Sequence, residues 1–376
     1  MSEPIPLSAP DITEAEIDAV VSVLRTSRLS LGPQMEAFES SMAALCAVPH
    51  AVAVSSGTAA LHLALLAHNI GAGDEVIVPS FTFIAVANAV RYVGAHPVFA
   101  DIDPVTLNLD PRSVESALTP STRALIAVHT FGRPADMDAL TAIARRHNFV
   151  LIEDACEAIG AQIGGHPVGS FGDAAAFAFY PNKQITTGEG GMVVTPHPEA
   201  AQRIAALRNH GRYDSAPGQF SETHMELGFN YRLSEIQCAL GLGQLRRLDF
   251  ILARRDGIAR RYCSLLAGTP GLILPATDVP GQRPSWFVFV VRLADHLSPA
   301  HRNRIRQSLA AAGIATGRYF APIHLQPAYA AWRATTYLPL TEEVADRTLA
   351  LPFFNRITND QIERVCAGLL AALRAL

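Results

Sequence analysis

Long apolar runs, paired cysteines and blocks of like charge are all missing from this sequence. No stretch approaches the roughly 18 to 20 uninterrupted apolar residues that a membrane helix needs. The N-terminus, MSEPIPLSAPDITEAEIDAV, carries acids and no apolar h-region. The expectation is a soluble chain in the cytoplasm, with no membrane partner. Five cysteines, Cys46, Cys156, Cys238, Cys263 and Cys366, lie far apart with no Cys-x-x-Cys pair. That spacing offers no metal or redox site and fits a reducing compartment. Charged residues are only 17% of the chain and the net charge is −4, without runs of one sign. A nucleic-acid footprint and a disordered tail are therefore not expected, which leaves a small molecule as partner. Internal repeats and low-complexity segments are also lacking.

What is present is a large apolar fraction, 49% of 376 residues, enough for two closely packed domains. Short β-branched runs alternate with helix-like segments through the first two hundred residues. The strand candidates begin at Ala51, Glu75, Pro97, Ala124, Phe149, Ala175 and Gly191. Candidate helices Thr58 to His68, Phe83 to Arg91 and Asp136 to His147 lie among them. This alternation predicts an α/β domain with a seven-stranded, mostly parallel sheet flanked by helices. After Pro196 the texture turns to long helical stretches, one of them spanning Ser234 to Leu266. The domain boundary is placed inside it, giving a large domain 1–245, which includes the N-terminal segment, and a smaller α+β domain 246–376. In the latter, FVFVVRL reads as a strand, RNRIRQSLAAAG as a helix ending at Gly313, and a final helix is capped by Thr358 or Asn359.

Three places could carry chemistry. Ser55-Ser56-Gly57-Thr58 follows an apolar strand and opens the helix AALHLALLAH. Free amides and the positive end of a helix dipole would meet a phosphate there, although an ordinary N-cap reads the same way. Asp154 ends the strand FVLIED, at the edge where ligands of open α/β sheets gather. It could pair with a protonated pyridine nitrogen or simply cap the next helix. Lys183, in FYPNKQITTGEGG, sits between two apolar strands and is bracketed by Pro181, Gly188, Gly190 and Gly191. Partial desolvation of its amine favours Schiff-base chemistry, against the plain alternative of a surface-loop lysine. Their order and spacing match what a fold-type I enzyme dependent on pyridoxal phosphate (PLP) uses.

At these residues the chain resembles the DegT/StrS family of sugar aminotransferases. The likeness runs through SRLSLGPQMEAFE, AVAVSSGTAALHLAL, DEVIVPSFTFIAVANAV, LIEDACEAIGA, GSFGDAAAFAFYPNKQITTGEGGMVVT, LGFNYRLSEIQCALGLGQL and PIHLQPAY. It implies a fold-type I PLP enzyme in which Lys183 holds the cofactor as a Schiff base and Asp154 faces the pyridine nitrogen. It places Ser56, Gly57 and Thr58 on the phosphate and Phe83 against the ring. Asn230 is implied to reach across a homodimer interface to the neighbour's phosphate, so that active sites are shared. Ser30, Tyr180, Arg232, Tyr319 and His324 are implied substrate contacts, Arg232 for the charge of a nucleotide's phosphates; His324 reads equally as a hydrogen-bonded structural residue. Two positions depart from the commoner pattern. Ala178 stands where many members have a phosphate-binding serine. Glu157, near the cofactor's phenolic oxygen, replaces Gln or His and needs a proton or a partner if buried.

The implied reaction moves an amino group, with glutamate as donor, to a nucleotide-linked keto-6-deoxyhexose. Lys183 would serve as general base and acid once displaced from the cofactor. Likeness of TTGEGG and EDACEA to perosamine-type enzymes points to the 4-keto carbon. A 3-keto sugar or cyclitol aminotransferase is the alternative, and a non-catalytic PLP-binding or sugar-sensing protein of the same fold is another. Family dehydratases carry histidine at the lysine position, which Lys183 argues against. A doubly wound oxidoreductase would need a Gly-x-Gly-x-x-Gly turn where this chain has SSGT.

Overall fold

The computed structural model describes residues 3–213, 223–333 and 335–376. Its main sheet has seven strands: β1 (His50–Val54), β2 (Glu75–Pro79), β3 (His96–Ala100), β4 (Thr122–Val128), β5 (Val150–Asp154), β6 (Ala174–Ala178) and β7 (Gly191–Thr195). Their order across the sheet is β1-β7-β6-β5-β4-β2-β3. All neighbours run parallel except around β7, which is antiparallel to both β1 and β6. Each predicted strand is present, shifted by a residue or two at its ends.

The strands are short runs of Val, Ile, Leu and Ala because helices cover both faces and leave almost no strand residue in water. Alternation sends Ile126 and Ile152 into one apolar layer and Leu125 and Leu151 into the layer on the opposite face. The connections after β2, β4, β5 and β6 therefore emerge at one edge of the sheet, where open α/β folds bind ligands. Helix α1 (Gly57–Ala67) begins at that edge, straight after β1. The chain can make this turn because Gly191 on β7 has no side chain: a Cβ there would lie 2.4 Å from the Ser56 backbone.

The predicted helix from Ser234 to Leu266 is two helices, α2 (Glu235–Arg246) and α3 (Leu248–Leu266), meeting at Arg247. Arg247 leaves the helical path to bind Asp11 and Glu16, both at 2.9 Å. Beyond it, β8 (Leu272–Ile273), β9 (Phe289–Leu293) and β10 (Thr348–Leu351) form a small antiparallel sheet in the order β8-β9-β10. Helices Pro299–Ala311 and Asn359–Arg374 pack on it around a separate apolar cluster. Ile5 is buried in that cluster too, so the N-terminal segment straps onto the C-terminal part of the chain. Thr358 is the cap of the last helix: its hydroxyl accepts from the Gln361 amide at 3.2 Å, and Gln361 returns a bond to the Thr358 amide at 3.0 Å.

Candidate active site

A cavity of about 320 Å³ lies at the C-terminal edge of the parallel strands. Ser56, Gly57, Thr58, Phe83, Asp154, Glu157, Tyr180, Lys183 and Tyr319 all line it, so the fold gathers residues spread over more than two hundred positions of sequence. Its anion-binding end is the start of α1. Ser56 Oγ accepts from the Ala59 amide at 3.1 Å. The amides of Gly57 and Thr58 precede any carbonyl of their own helix and point outward with its dipole. Ala178, at the end of β6, packs against this turn: a Cβ on Gly57 would come within 2.7 Å of the Ala178 Cβ and 2.8 Å of Cys156 Sγ.

Asp154 and Glu153 are adjacent on β5, and strand alternation sends them to opposite faces. Asp154 faces the cavity, its Oδ1 accepting from the Cys156 amide at 3.0 Å. Glu153 turns away and is fully buried, accepting from the amides of Gly169, Phe171 and Gly172 at 2.8 to 2.9 Å and lying 3.1 Å from His129 Nε2. Since His129 Nδ1 accepts from the Ala135 amide at 3.0 Å, the ring donates to Glu153 through Nε2.

Lys183 Nζ lies 3.6 Å from Glu157 Oε1 and 4.0 Å from the centre of the Phe287 ring. Glu157 Oε2 accepts from the Phe131 amide at 2.9 Å. The partner this buried acid requires is thus Lys183. Burial raises the Glu157 carboxyl above its usual range, with the lysine opposing the shift. Burial also pushes the Cys156 thiol far up, so it remains a protonated wall residue. Tyr319 keeps its proton for the same reason, reinforced by the charge of Glu157. Phe83 is 61% exposed and Tyr180 51% exposed, large aromatic faces left open at the cavity.

Four expected site residues do not line this cavity. Ser30 is exposed and bridges to Ser234, while Asn230 is exposed and bridges to Asn209. Arg232 donates to Asn209 Oδ1 at 2.9 Å. Of the two readings of His324, its surroundings match the hydrogen-bonded structural residue. It is 1% exposed, its Nδ1 lies 2.7 Å from Ser80 Oγ, which accepts from the His324 amide at 3.1 Å, and its Nε2 lies 3.3 Å from Glu342. The ring is spent on holding the segment after β2 to the C-terminal part. Conversely, Thr82, Asn182, Phe287 and Phe320 line the cavity and are not among the expected residues. Nothing local marks Phe287, which comes from the segment just before β9. One further sequence signal points to the site: Lys183 is the single lysine of the chain, the other basic side chains being arginine or histidine.

The fold, with its lysine, acid and helix N-terminus at one edge of the sheet, is that of the fold-type I PLP-dependent transferases. The DegT/DnrJ/EryC1/StrS aminotransferase family matches residues 10–370, and the chain belongs to it. Its sequence is 42% identical over 367 residues to the GDP-perosamine synthase of Caulobacter vibrioides, covering 97% of each chain. It is 44% identical over 355 residues to the dTDP-3-amino-3,4,6-trideoxy-alpha-D-glucose transaminase of Streptomyces venezuelae, covering 93% of this chain and 90% of that one. The solved PLP-form of the putative sugar aminotransferase Spr1654 from Streptococcus pneumoniae superposes with a TM-score of 0.92, at 29% identity and with 99% of both chains covered.

Proposed function

We propose that this aminotransferase uses PLP, held by Lys183, to move an amino group from glutamate to the 4-keto carbon of a nucleotide-linked 6-deoxyhexose. The observation that carries the reading is the convergence of Lys183, Asp154 and the free end of α1 on one cavity. The residues fit the cofactor. The α1 amides suit a phosphate, the open face of Phe83 suits a stacked ring, and the Asp154 carboxylate suits a ring nitrogen. The cofactor, when bound, supplies an aldehyde for the lysine and an electron sink for the substrate carbon.

The chain's own groups do the rest. Lys183 Nζ, facing the cavity with Glu157 beside it, takes up and returns the proton of the reacting carbon. Glu157, tied to the Phe131 amide, keeps the amine oriented. The Phe287 ring shields one side of Nζ from water. Asp154 presents its side chain to the cavity, where it would meet the ring nitrogen. With no serine at Ala178, the phosphate relies on the α1 amides and on the Ser56 and Thr58 hydroxyls.

Relatives of nearly equal identity are named for perosamine and for a 3-amino sugar. Overall identity therefore does not choose the carbon, and the proposal of position 4 rests on the likeness of the TTGEGG and EDACEA segments to perosamine-type enzymes; a 3-keto sugar is the second reading. Shared sites in a homodimer are part of the proposal. Asn230, Arg232 and Ser30 lie outside this chain's own cavity, and exposed Leu29, Met225 and Leu227 flank them in sequence, as a surface for a second copy would require. Division of the chain into 1–245 and 246–376 is likewise proposed, supported by the break at Arg247 and the two separate cores.

The test is incubation with nucleotide keto sugars and glutamate, reading product mass and the position of the new amine. Amination at C3 alone overturns the regiochemistry, and no aminated product overturns the activity. Mixing inactive Lys183→Ala chains with inactive Asn230→Ala chains should restore activity; failure to do so sinks the shared site.

A further inference from the structure

Among the described residues, no arginine or histidine lines the active cavity, so Lys183 is its sole cationic side chain. The other titratable groups there are Asp154, Cys156, Glu157, Tyr180, Glu189 and Tyr319. Glu157 is the one that pairs with the lysine, Oε1 to Nζ at 3.6 Å. From the segment before β9 the Phe287 ring reaches within 4.0 Å of Nζ, and an aromatic face also favours a charged nitrogen.

The chain fixes this pair from several directions. Gln184, the residue after the lysine, donates from Nε2 to the Glu157 carbonyl at 2.6 Å and to the Ser285 carbonyl at 2.8 Å. One buried amide thereby ties the lysine loop to the turn after β5 and to the segment before β9. Phe131 takes a left-handed φ of 59°, uncommon for an aromatic residue, and in that conformation its amide meets Glu157 Oε2 at 2.9 Å. Gly132 follows at φ 85°, where a Cβ would lie 1.6 Å from the Ser285 carbonyl oxygen. The carboxylate is therefore held through one oxygen and turns the other to Lys183. Glu153, by contrast, has both oxygens occupied by backbone amides.

We propose that Glu157 is a positioning residue that keeps the proton on the lysine nitrogen, including when that nitrogen is joined to the cofactor. A negative charge beside a protonated nitrogen stabilises it, and a protonated Schiff base is the form open to attack by an incoming amine. Glu157 thus extends to higher pH the range in which the loaded enzyme accepts its amino donor. The inference rests on Lys183 as the cofactor-holding residue and goes beyond it, because Glu157 sets the charge of that nitrogen and not its attachment.

The test is a pH titration of the holoenzyme's visible absorption, which lies at longer wavelength while the linkage nitrogen is protonated. In Glu157→Gln, which keeps an acceptor for the Phe131 amide and loses the charge, the midpoint should fall by about one pH unit or more. Glu157→Asp keeps the charge at a greater distance, so a smaller fall in the same direction is expected, and this variant decides the matter if the glutamine variant does not fold. An unchanged or raised midpoint in either folded variant overturns the proposal, since a purely structural Glu157 would alter stability without moving the titration. A parent enzyme with no visible band that borohydride abolishes overturns the Lys183 reading and this inference with it; a normal band with an unmoved midpoint overturns this inference alone.

Discussion

Glu153 and Asp154 are neighbours on one strand, chemically alike and both buried, yet their surroundings are opposite. Glu153 is met by three backbone amides and a histidine, none of which lines the cavity. Asp154 has the Cys156 amide and otherwise faces open volume beside Lys183, Tyr319 and Phe83. A carboxylate surrounded by donors is a structural part, because its bonding capacity is used up in holding the 169–172 loop. A carboxylate kept at a cavity with capacity to spare is placed there for a ligand.

The sharpest test of this contrast is Lys183→Ala, on the cavity side. Activity should fall by more than about 10⁴-fold, because in the proposed reaction one group supplies both attachment and proton transfer. Circular dichroism should show the fold retained, with cofactor now released by dialysis. Since the chain has no other lysine, borohydride reduction followed by peptide mass mapping should label Lys183 and nothing else; an unlabelled Lys183 breaks the assignment.

On the opposite face, Glu153→Gln should cost about 3 kcal/mol or more of stability, since an amide cannot accept everything the carboxylate accepts and leaves buried donors unmet. Urea unfolding measures this, and the surviving folded fraction should keep its turnover per molecule. Asp154→Asn is expected to invert the result, lowering turnover by about 10²- to 10³-fold with little movement of the urea midpoint. If the two variants behave alike, the distinction between the faces is wrong.

A smaller effect involves Glu157. Burial raises its carboxyl in the folded chain, so above the ordinary carboxylate range the folded state holds a proton that the unfolded state has lost. Stability from this group therefore falls as pH rises from that range through the raised value. Glu157→Gln removes the dependence, and its thermal midpoint relative to the parent chain should climb across that interval. A flat difference would show that Lys183 offsets the burial cost entirely.

Much of the architecture is legible in the amino-acid order. Seven apolar β-branched runs with helical spacers can bury both strand faces only as a covered, mostly parallel sheet, and all seven strands are found near their expected positions. The stretch from Ser234 to Leu266 reads as one helix because Arg247 continues the helical pattern locally; its ion pairs with Asp11 and Glu16 come from more than two hundred residues away. His324 stays open between two readings in the sequence for the same reason. Its neighbours Ser80, just after β2, and Glu342, on the helix Pro339–Arg347, are brought to it by tertiary packing, which a motif cannot show.

The sequence by itself determined which residue could anchor a cofactor, since it contains a single lysine, set between strands whose pattern requires burial. It also determined that a helix begins immediately after β1, from the small residues of SSGT. Only the tertiary structure decided that Glu157 is that lysine's partner, that Phe287 covers it, and that Glu153 faces away while Asp154 faces in. The physical reason is that local propensity and periodicity act over a few residues. The partner of a buried polar group is chosen by whichever distant segment the closing core brings within hydrogen-bonding reach.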